Sequence, residues 1–337
     1  MSLADVQAQP KGFSRRQVLK IVAAAAAVPA AVGGFRLLAP QPEFHVWNGE
    51  ALGAVSQMMI WHPNAGYAER TMQRMLTEVA RLDGVFSLFR PSSELSRLNA
   101  EGSVGSVSRD LVTVMEAARG MAEASGGAFD PTVQPLWDLY ANHFAGPVAT
   151  VGGPSGAALD AARALIGYDR VDIGSRSVSF AEPGMSATLN GIAQGFITDR
   201  IADLFRNEGF EHVVIELGET RVLGDHPEGR PWIVGLRDQQ GATDRTMELT
   251  DGALAMSGGY GTVFDPSGRN HHLFDPATGL SADRLVDVVV SSPRAMEADA
   301  LATALFVAGE SRARAILARY PGASAVLTRH DGTQVRL

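Results

Sequence analysis

Two stretches of this chain carry residue types that do chemistry, at spacings that chemistry can use. In MEADALATAL (296–305), Asp299 and Thr303 stand four apart on a predicted helix over 295–307 and so share a face. A carboxylate beside a hydroxyl is half of a site for a hard cation, which prefers oxygen ligands. Helix-start chemistry accounts for the same pair. Asp299 would then sit in a first turn favoured by the dipole, and Thr303 would bond back to a carbonyl. The second stretch is HHLFDPATG (271–279). In a strand, His271 and His272 point to opposite faces, so they do not readily hold one metal together. His-His-x-x-Asp also lacks the i, i+4 spacing of a helical zinc pair. Two readings stay open: one histidine is a general base, or one is packed and the other solvated.

Three further stretches hold more small and polar residues than packing needs. LNGIAQGF (189–196) places Gly191 and Gly195 at a predicted helix entrance after a strand end. Bare backbone and an N-terminal dipole suit a phosphate there, although the pattern is neither GxGxxG nor a Walker loop. Close helix packing would use the same glycines. SGGAFDPTVQPLW (125–137) sets a glycine pair, Phe129 and Asp130-Pro131 behind a helix. It suits a flat ring that stacks there, or a plain helix stop with a proline turn. SGGYG (257–261) precedes the histidines.

The elements that must position these residues are interspersed along the chain. Apolar periodicity predicts helices over 68–82, from a Ser108 cap to Gly126-Gly127, over 155–166, 191–208, 295–307 and 311–320. Strands are expected over 44–61 with a turn at Asn48-Gly49, and over 170–173, 178–180, 212–217, 232–236, 246–249, 254–256 and 286–291. A hairpin turning at Asp331-Gly332 closes the chain. The absence of strict βαβ alternation points to an α+β fold with a mixed or antiparallel sheet. No Pro- or Ser-rich linker cuts the body, so one compact domain with room for two lobes is expected over 41–337.

Composition narrows the chemistry. The 337 residues include no cysteine, which removes disulfides, thiolate zinc sites, a cysteine nucleophile and a lipidated cysteine. The net charge is −8; residues 1–40 hold five of the basic residues and one acidic residue, leaving a body of 24 basic against 36 acidic residues. So acidic a body argues against broad binding to nucleic acid or anionic membranes. No fixed-period repeat appears, and Gly153-Pro154-Ser155-Gly156 is not the G-x-S-x-G of an esterase.

Residues 14–20 read SRRQVLK, followed by an alanine-rich apolar run to Val32. This resembles a twin-arginine export signal, matched by Ser14, Arg15, Arg16, Leu19 and Lys20. The run is shorter than the ~20 residues of a membrane span, and Pro29 interrupts it. Residues 1–40 are therefore expected to be an address that sends a folded protein to the periplasm.

As an ordered set, SGGAFDPTVQPLW, LNGIAQGF, ELGE (216–219), PWIVGLRD (231–238), SGGYG, HHLFDPATG and ADALATALFVAG (298–309) resemble the FAD:protein FMN transferases, the ApbE-type flavin transferases. The similarity, which also takes in FRPSSELSRLN (89–99), runs from about Trp47 to Gly309. It implies a T-fold-like, two-lobed α+β domain that binds FAD and Mg²⁺ and moves FMN from FAD onto a threonine or serine hydroxyl of an acceptor flavoprotein, releasing AMP. It further implies Asp299 and Thr303 as side-chain magnesium ligands, with the backbone carbonyls of Gly191 and Ala302 completing the shell. His272 takes the place of the catalytic histidine, and Ala128, Phe129 and Asp130 that of the flavin-binding Ala-Phe-Asp. Phe89 stands where a tyrosine often contacts the flavin. Thr188, Gln194 and Leu273 fall at other FAD contacts, and Ser257 and Tyr260 line the same cleft. The chain departs from the family's Asp-x-Gly-Gly-Ile-Ala-Lys-Gly at Thr188, Asn190 and Gln194, losing an acidic and a basic residue together. It also has Gly218-Glu219-Thr220 for Gly-Gly-Asp. Export without a lipid anchor and the Asn-Gly-Ile-Ala-Gln-Gly motif resemble the type associated with nitrous oxide reduction, whose acceptor is a membrane-bound electron-transfer protein. The alternatives are an FAD pyrophosphatase yielding FMN and AMP, and a non-catalytic FAD carrier.

Overall fold

A computed structural model describes residues 42–52, 54–146, 152–236, 243 and 245–337. The export segment and the end of PWIVGLRD lie outside the described residues. The helices are α1 (Ala65–Phe86), α2 (Glu94–Glu101), α3 (Arg109–Ser125), α4 (Gln134–Ala145), α5 (Gly156–Arg163), α6 (Ala193–Asn207), α7 (Ala295–Ala308) and α8 (Glu310–Leu317). Strands β1 (Glu43–Ala51), β2 (Ala54–His62), β6 (Val213–Glu216), β7 (Thr220–Leu223), β10 (Ala253–Gly258), β11 (Asp287–Ser292), β12 (Ser324–Thr328) and β13 (Gln334–Arg336) form one sheet in that spatial order. Every pairing in it is antiparallel. Strands β3 (Ser103–Gly105), β4 (Val171–Ile173) and β5 (Ser177–Phe180) make a small second sheet, and β8 (Trp232–Leu236) pairs with β9 (Arg245–Leu249).

Period-two alternation gives the large sheet two buried faces. Ile60, Val213, Ile215, Val288 and Val290 join a core shared with α1, α3, α6 and α7. Their neighbours Met59, Val214 and Val289 join a second core with Trp232, Val234 and Leu249 of β8 and β9. Among the described residues, no helix is long and apolar enough to cross a membrane.

The α+β class and the antiparallel sheet agree with the sequence reading. The hairpin turn at Asn48-Gly49 does not. Both residues lie inside β1, opposite Gln57 and Ser56, and the register with β2 runs on to the pair Ala51 and Ala54. Strand pairing explains the difference: β1 has partners along its whole length on β2, so the Asn-Gly pair is held extended. Helices α2 and α4 and strands β3 and β7 lie in stretches whose apolar pattern was too short to announce them.

Helices α6 and α7 carry the site, and their N-termini cap one another. The first N–H groups of a helix lack intrahelical partners. On α6, Asp199 accepts from the N–H of Ala295 at 2.9 Å and of Met296 at 3.0 Å. In return Asp299 of α7 accepts from the N–H of Gly195 at 3.1 Å through Oδ2. Arg294 and Arg221 flank Asp199 at 3.3 and 3.6 Å. Burial raises the Asp199 pKa against the pull of these partners.

Candidate active site

A cavity of about 350 Å³ opens between the entrance to α6, the Asp299–Thr303–Val307 face of α7, the end of β10, the 128–137 segment and the 258–274 loops. Its wall includes Ala128, Phe129, Asp130, Thr188, Gly191, Ser257, Tyr260, His272, Leu273, Asp299 and Thr303. Residues from stretches far apart in the chain thus meet in one place.

Asp299 is 3% exposed and lies in the second turn of α7, not the first. The helix-start explanation therefore fails, because Asp199 supplies the cap. Thr303 presents Oγ1 at 3.3 Å from Ser257 Oγ. Gly191 passes so close that a Cβ there would stand 2.9 Å from Thr303 Oγ1. A carboxylate, two hydroxyls and a closely approaching backbone form an all-oxygen donor set, which fits a hard cation such as Mg²⁺. Among the described lining residues are three carboxylates, of Asp130, Glu219 and Asp299, and no Lys or Arg. A pyrophosphate entering this wall would meet like charge unless a cation neutralised it.

Gly195 holds the two helices together. A Cβ at this residue would lie 2.3 Å from the Ala295 carbonyl oxygen and 2.6 Å from Met296 Cα, both backbone atoms. The close-packing reading of this glycine therefore prevails, while Gly191 is the one that faces the cavity. The expected strand before LNGIAQGF is absent; residues 185–189 are irregular. Gly195→Ala is expected to push α7 away from α6 and to cost about 1–3 kcal/mol, the usual range for overpacking. Chemical denaturation checks this, and a variant as stable as the parent would show that the approach is looser than described.

The two histidines divide their roles, although the stretch is a loop with isolated bridges (Val263 to His271, Phe274 to Ser281) and not a strand. His271 is 4% exposed and packs edge-on to Phe306. Its Nδ1 accepts from the Leu273 N–H at 3.3 Å. A Cβ on Gly259 would strike this ring at 2.9 Å, which accounts for the second glycine of SGGYG. His272 faces the cavity, with Nδ1 held against the Thr262 backbone at 3.2 and 3.3 Å. Nε2 is then the nitrogen that proton transfer would use. The Asp275–Gly279 turn is closed by Asp275, whose backbone oxygen accepts from Gly279 N–H at 2.8 Å. Its Gly279 carbonyl accepts from the Tyr140 hydroxyl, and Phe274, just before the turn, lines the cavity.

Burial drops the His271 pKa from 6.5 to about 4. The unfolded chain therefore takes up a proton here that the fold refuses. Stability from this residue is complete above pH 6.5 and lost as pH falls toward about 4. Asp130 and Asp199 act with the opposite sign, since burial raises both. His271→Gln is expected to flatten the acid limb of the melting temperature against pH in that window; an unchanged limb would contradict the assignment.

Asp130 serves its own turn. Oδ1 accepts from the Thr132 N–H at 2.8 Å and hydroxyl at 2.6 Å, and Oδ2 from the Tyr168 N–H at 3.1 Å. The carboxylate thereby fixes the bend that presents Phe129, whose ring edge would be 3.3 Å from a Cβ on Gly191. Tyr260 reaches toward the buried Asp287, with O–H to Oδ2 at 3.5 Å. Arg245 clasps that carboxylate at 2.8 and 3.2 Å.

Three expected site residues lie outside the wall. Phe89 is 62% exposed between α1 and α2. Gln194 packs its amide against Gly218, where a Cβ would meet it at 2.7 Å, and its Oε1 is buried without a hydrogen-bond partner. Ala302 is buried on α7, one residue before Thr303. The wall also contains Trp137, Asn190, Glu219 and Met256, which the sequence reading did not assign to the site. Trp137 and Glu219 stood within the recognised stretches, but neither residue type announces itself without the cavity.

Comparison with known proteins identifies the family of this fold. Residues 52–327 match the model of the ApbE family. The chain is 34% identical over 254 residues to an FAD:protein FMN transferase of Vibrio cholerae, covering 73% of this chain and 74% of that one. It is 30% identical over 288 residues to one of Treponema pallidum, covering 78% of each. The flavin transferase ApbE structure from Vibrio cholerae superposes with a TM-score of 0.75 at 26% identity, over 88% of this chain and 97% of that one. The apo flavinyl transferase ApbE of Pseudomonas stutzeri gives 0.74 at 26% identity, over 90% and 96%. The chain belongs to the ApbE family.

Proposed function

We propose that this chain is an FAD:protein FMN transferase. It takes Mg²⁺ at Asp299 and Thr303, transfers FMN from FAD to a threonine or serine hydroxyl of an acceptor flavoprotein, and releases AMP. The observation that carries this reading is the meeting, in one cavity rich in carboxylates, of the Asp299, Thr303 and Ser257 oxygens and the closely passing Gly191 backbone with His272. The relatives named FAD:protein FMN transferase support the reaction class.

Bound there, Mg²⁺ would neutralise the FAD pyrophosphate and polarise its oxygens. The chain's own residues do the rest. The acceptor hydroxyl forms a bond to the FMN phosphorus as the bridging P–O bond breaks, and AMP leaves with the electron pair. His272 takes the hydroxyl proton. The N-terminus of α6, entered through Gly191, turns its dipole toward the phosphates. Thr188 Oγ1 accepts from Asn190 N–H at 3.3 Å, so the position that is acidic elsewhere in the family here braces the Gly191 turn.

The SRRQVLK segment supports export by the twin-arginine route, which makes the periplasm the place of action. The first acceptor to assay is a membrane-bound electron-transfer flavoprotein of the nitrous oxide reduction type. The reading is tested by measuring AMP released from FAD with and without acceptor, in Mg²⁺ and after chelation. Release that needs both acceptor and Mg²⁺ supports transfer. Equal release with water alone assigns the chain as a pyrophosphatase, and none under any condition assigns it as a carrier.

A further inference from the structure

We infer that Trp137 is a stacking platform for one of the heteroaromatic rings of FAD, an inference that rests on the transferase reading. The sequence has four tryptophans, and Trp137 is the one in the described cavity wall. Trp232 belongs to the core behind the sheet, and Trp47 and Trp61 lie on β1 and β2. An indole brings a broad π-face and an N–H in one rigid group, and aromatic pairs gain beyond the area they bury.

The fold holds this indole in place. Tyr140 is buried one helical turn further along α4, so the two share a face. Its hydroxyl donates to the Gly279 carbonyl at 3.2 Å, and its ring packs 4.8 Å from Phe274. That ties α4 to the turn behind His272. Phe264 meets the Trp137 ring edge-to-face at 5.9 Å and 70°, and itself lies nearly parallel to Phe274 at 6.0 Å. The backing is aromatic on one side and the cavity lies on another. A rigid indole loses little conformational entropy when a planar ring settles on it.

Flavin and adenine are both planar heteroaromatic rings, and separate ligands distinguish them. The experiment titrates FAD, FMN and AMP, each with Mg²⁺, into the parent protein, Trp137→Leu and Trp137→Phe. Stacking is worth about 1–3 kcal/mol per ring, so Trp137→Leu is expected to weaken FAD binding roughly 5- to 150-fold. Trp137→Phe should recover most of the affinity. If the flavin is the partner, FMN affinity falls likewise, and the quenched fluorescence of bound FMN returns in Trp137→Leu. If adenine is the partner, AMP affinity falls and FMN affinity does not. FAD affinity within about twofold of the parent in both variants would overturn the stacking role while leaving the transferase reading standing. Failure of the parent protein to bind FAD would overturn both.

Discussion

Asp299→Asn is expected to reduce FMN transfer roughly 10³-fold while the protein stays folded. Charge stabilisation by a bound metal is worth several kcal/mol, and each 1.4 kcal/mol is a factor of ten in rate. Asparagine is nearly isosteric and keeps an oxygen that can accept the Gly195 N–H, now met at 3.1 Å. It lacks the negative charge, and its NH₂ group faces a cation unfavourably. Asp299→Ala is a poorer test, because it also strips the cap from α6 and leaves a buried N–H unsatisfied, a cost of about 1–3 kcal/mol. The measurement is initial transfer rate against Mg²⁺ concentration, with far-UV circular dichroism as the fold control. A folded Asp299→Asn protein with near-parent rate at ordinary Mg²⁺ would remove the cation from this place.

His272→Ala is expected to lower the rate by about 10²–10⁴, the usual contribution of a general base. FAD affinity should change little. The ring reaches the cavity from a loop tied down by backbone contacts at Thr262, and the cation donors lie on β10, α7 and the α6 entrance. Binding and turnover therefore separate in this variant. Isothermal titration with FAD and Mg²⁺ gives the first, and acceptor labelling the second. Parallel loss of both would make His272 a binding residue and not a base. Full activity in the variant would leave proton removal to another group.

The chemistry was more legible in the sequence than the elements that hold it. Asp299 and Thr303 could be paired from helical spacing alone, because i and i+4 share a face whatever the tertiary structure. The division of His271 from His272 followed from adjacent side chains pointing apart, and it survives although the segment is a loop. Spacing could not reveal what caps α7: Asp199 lies on another helix, about a hundred residues earlier. That is a tertiary contact with no local signature. Nor could it reveal that Asp130, which lines the cavity, also holds its own turn through one oxygen and the Tyr168 N–H through the other. The misplaced Asn48-Gly49 turn has the same origin. Local turn chemistry was outweighed by strand partners that run the length of β1. Trp137 and Glu219 were invisible as site residues because lining a cavity depends on which residues face inward together.

The most direct test of the central claim is the mass of an acceptor flavoprotein after incubation with the purified protein, FAD and Mg²⁺. The account predicts one FMN joined through phosphate to a single threonine or serine, an equal amount of AMP, and both formed roughly 10³-fold more slowly with Asp299→Asn. FAD consumed to FMN and AMP with the acceptor mass unchanged would contradict it.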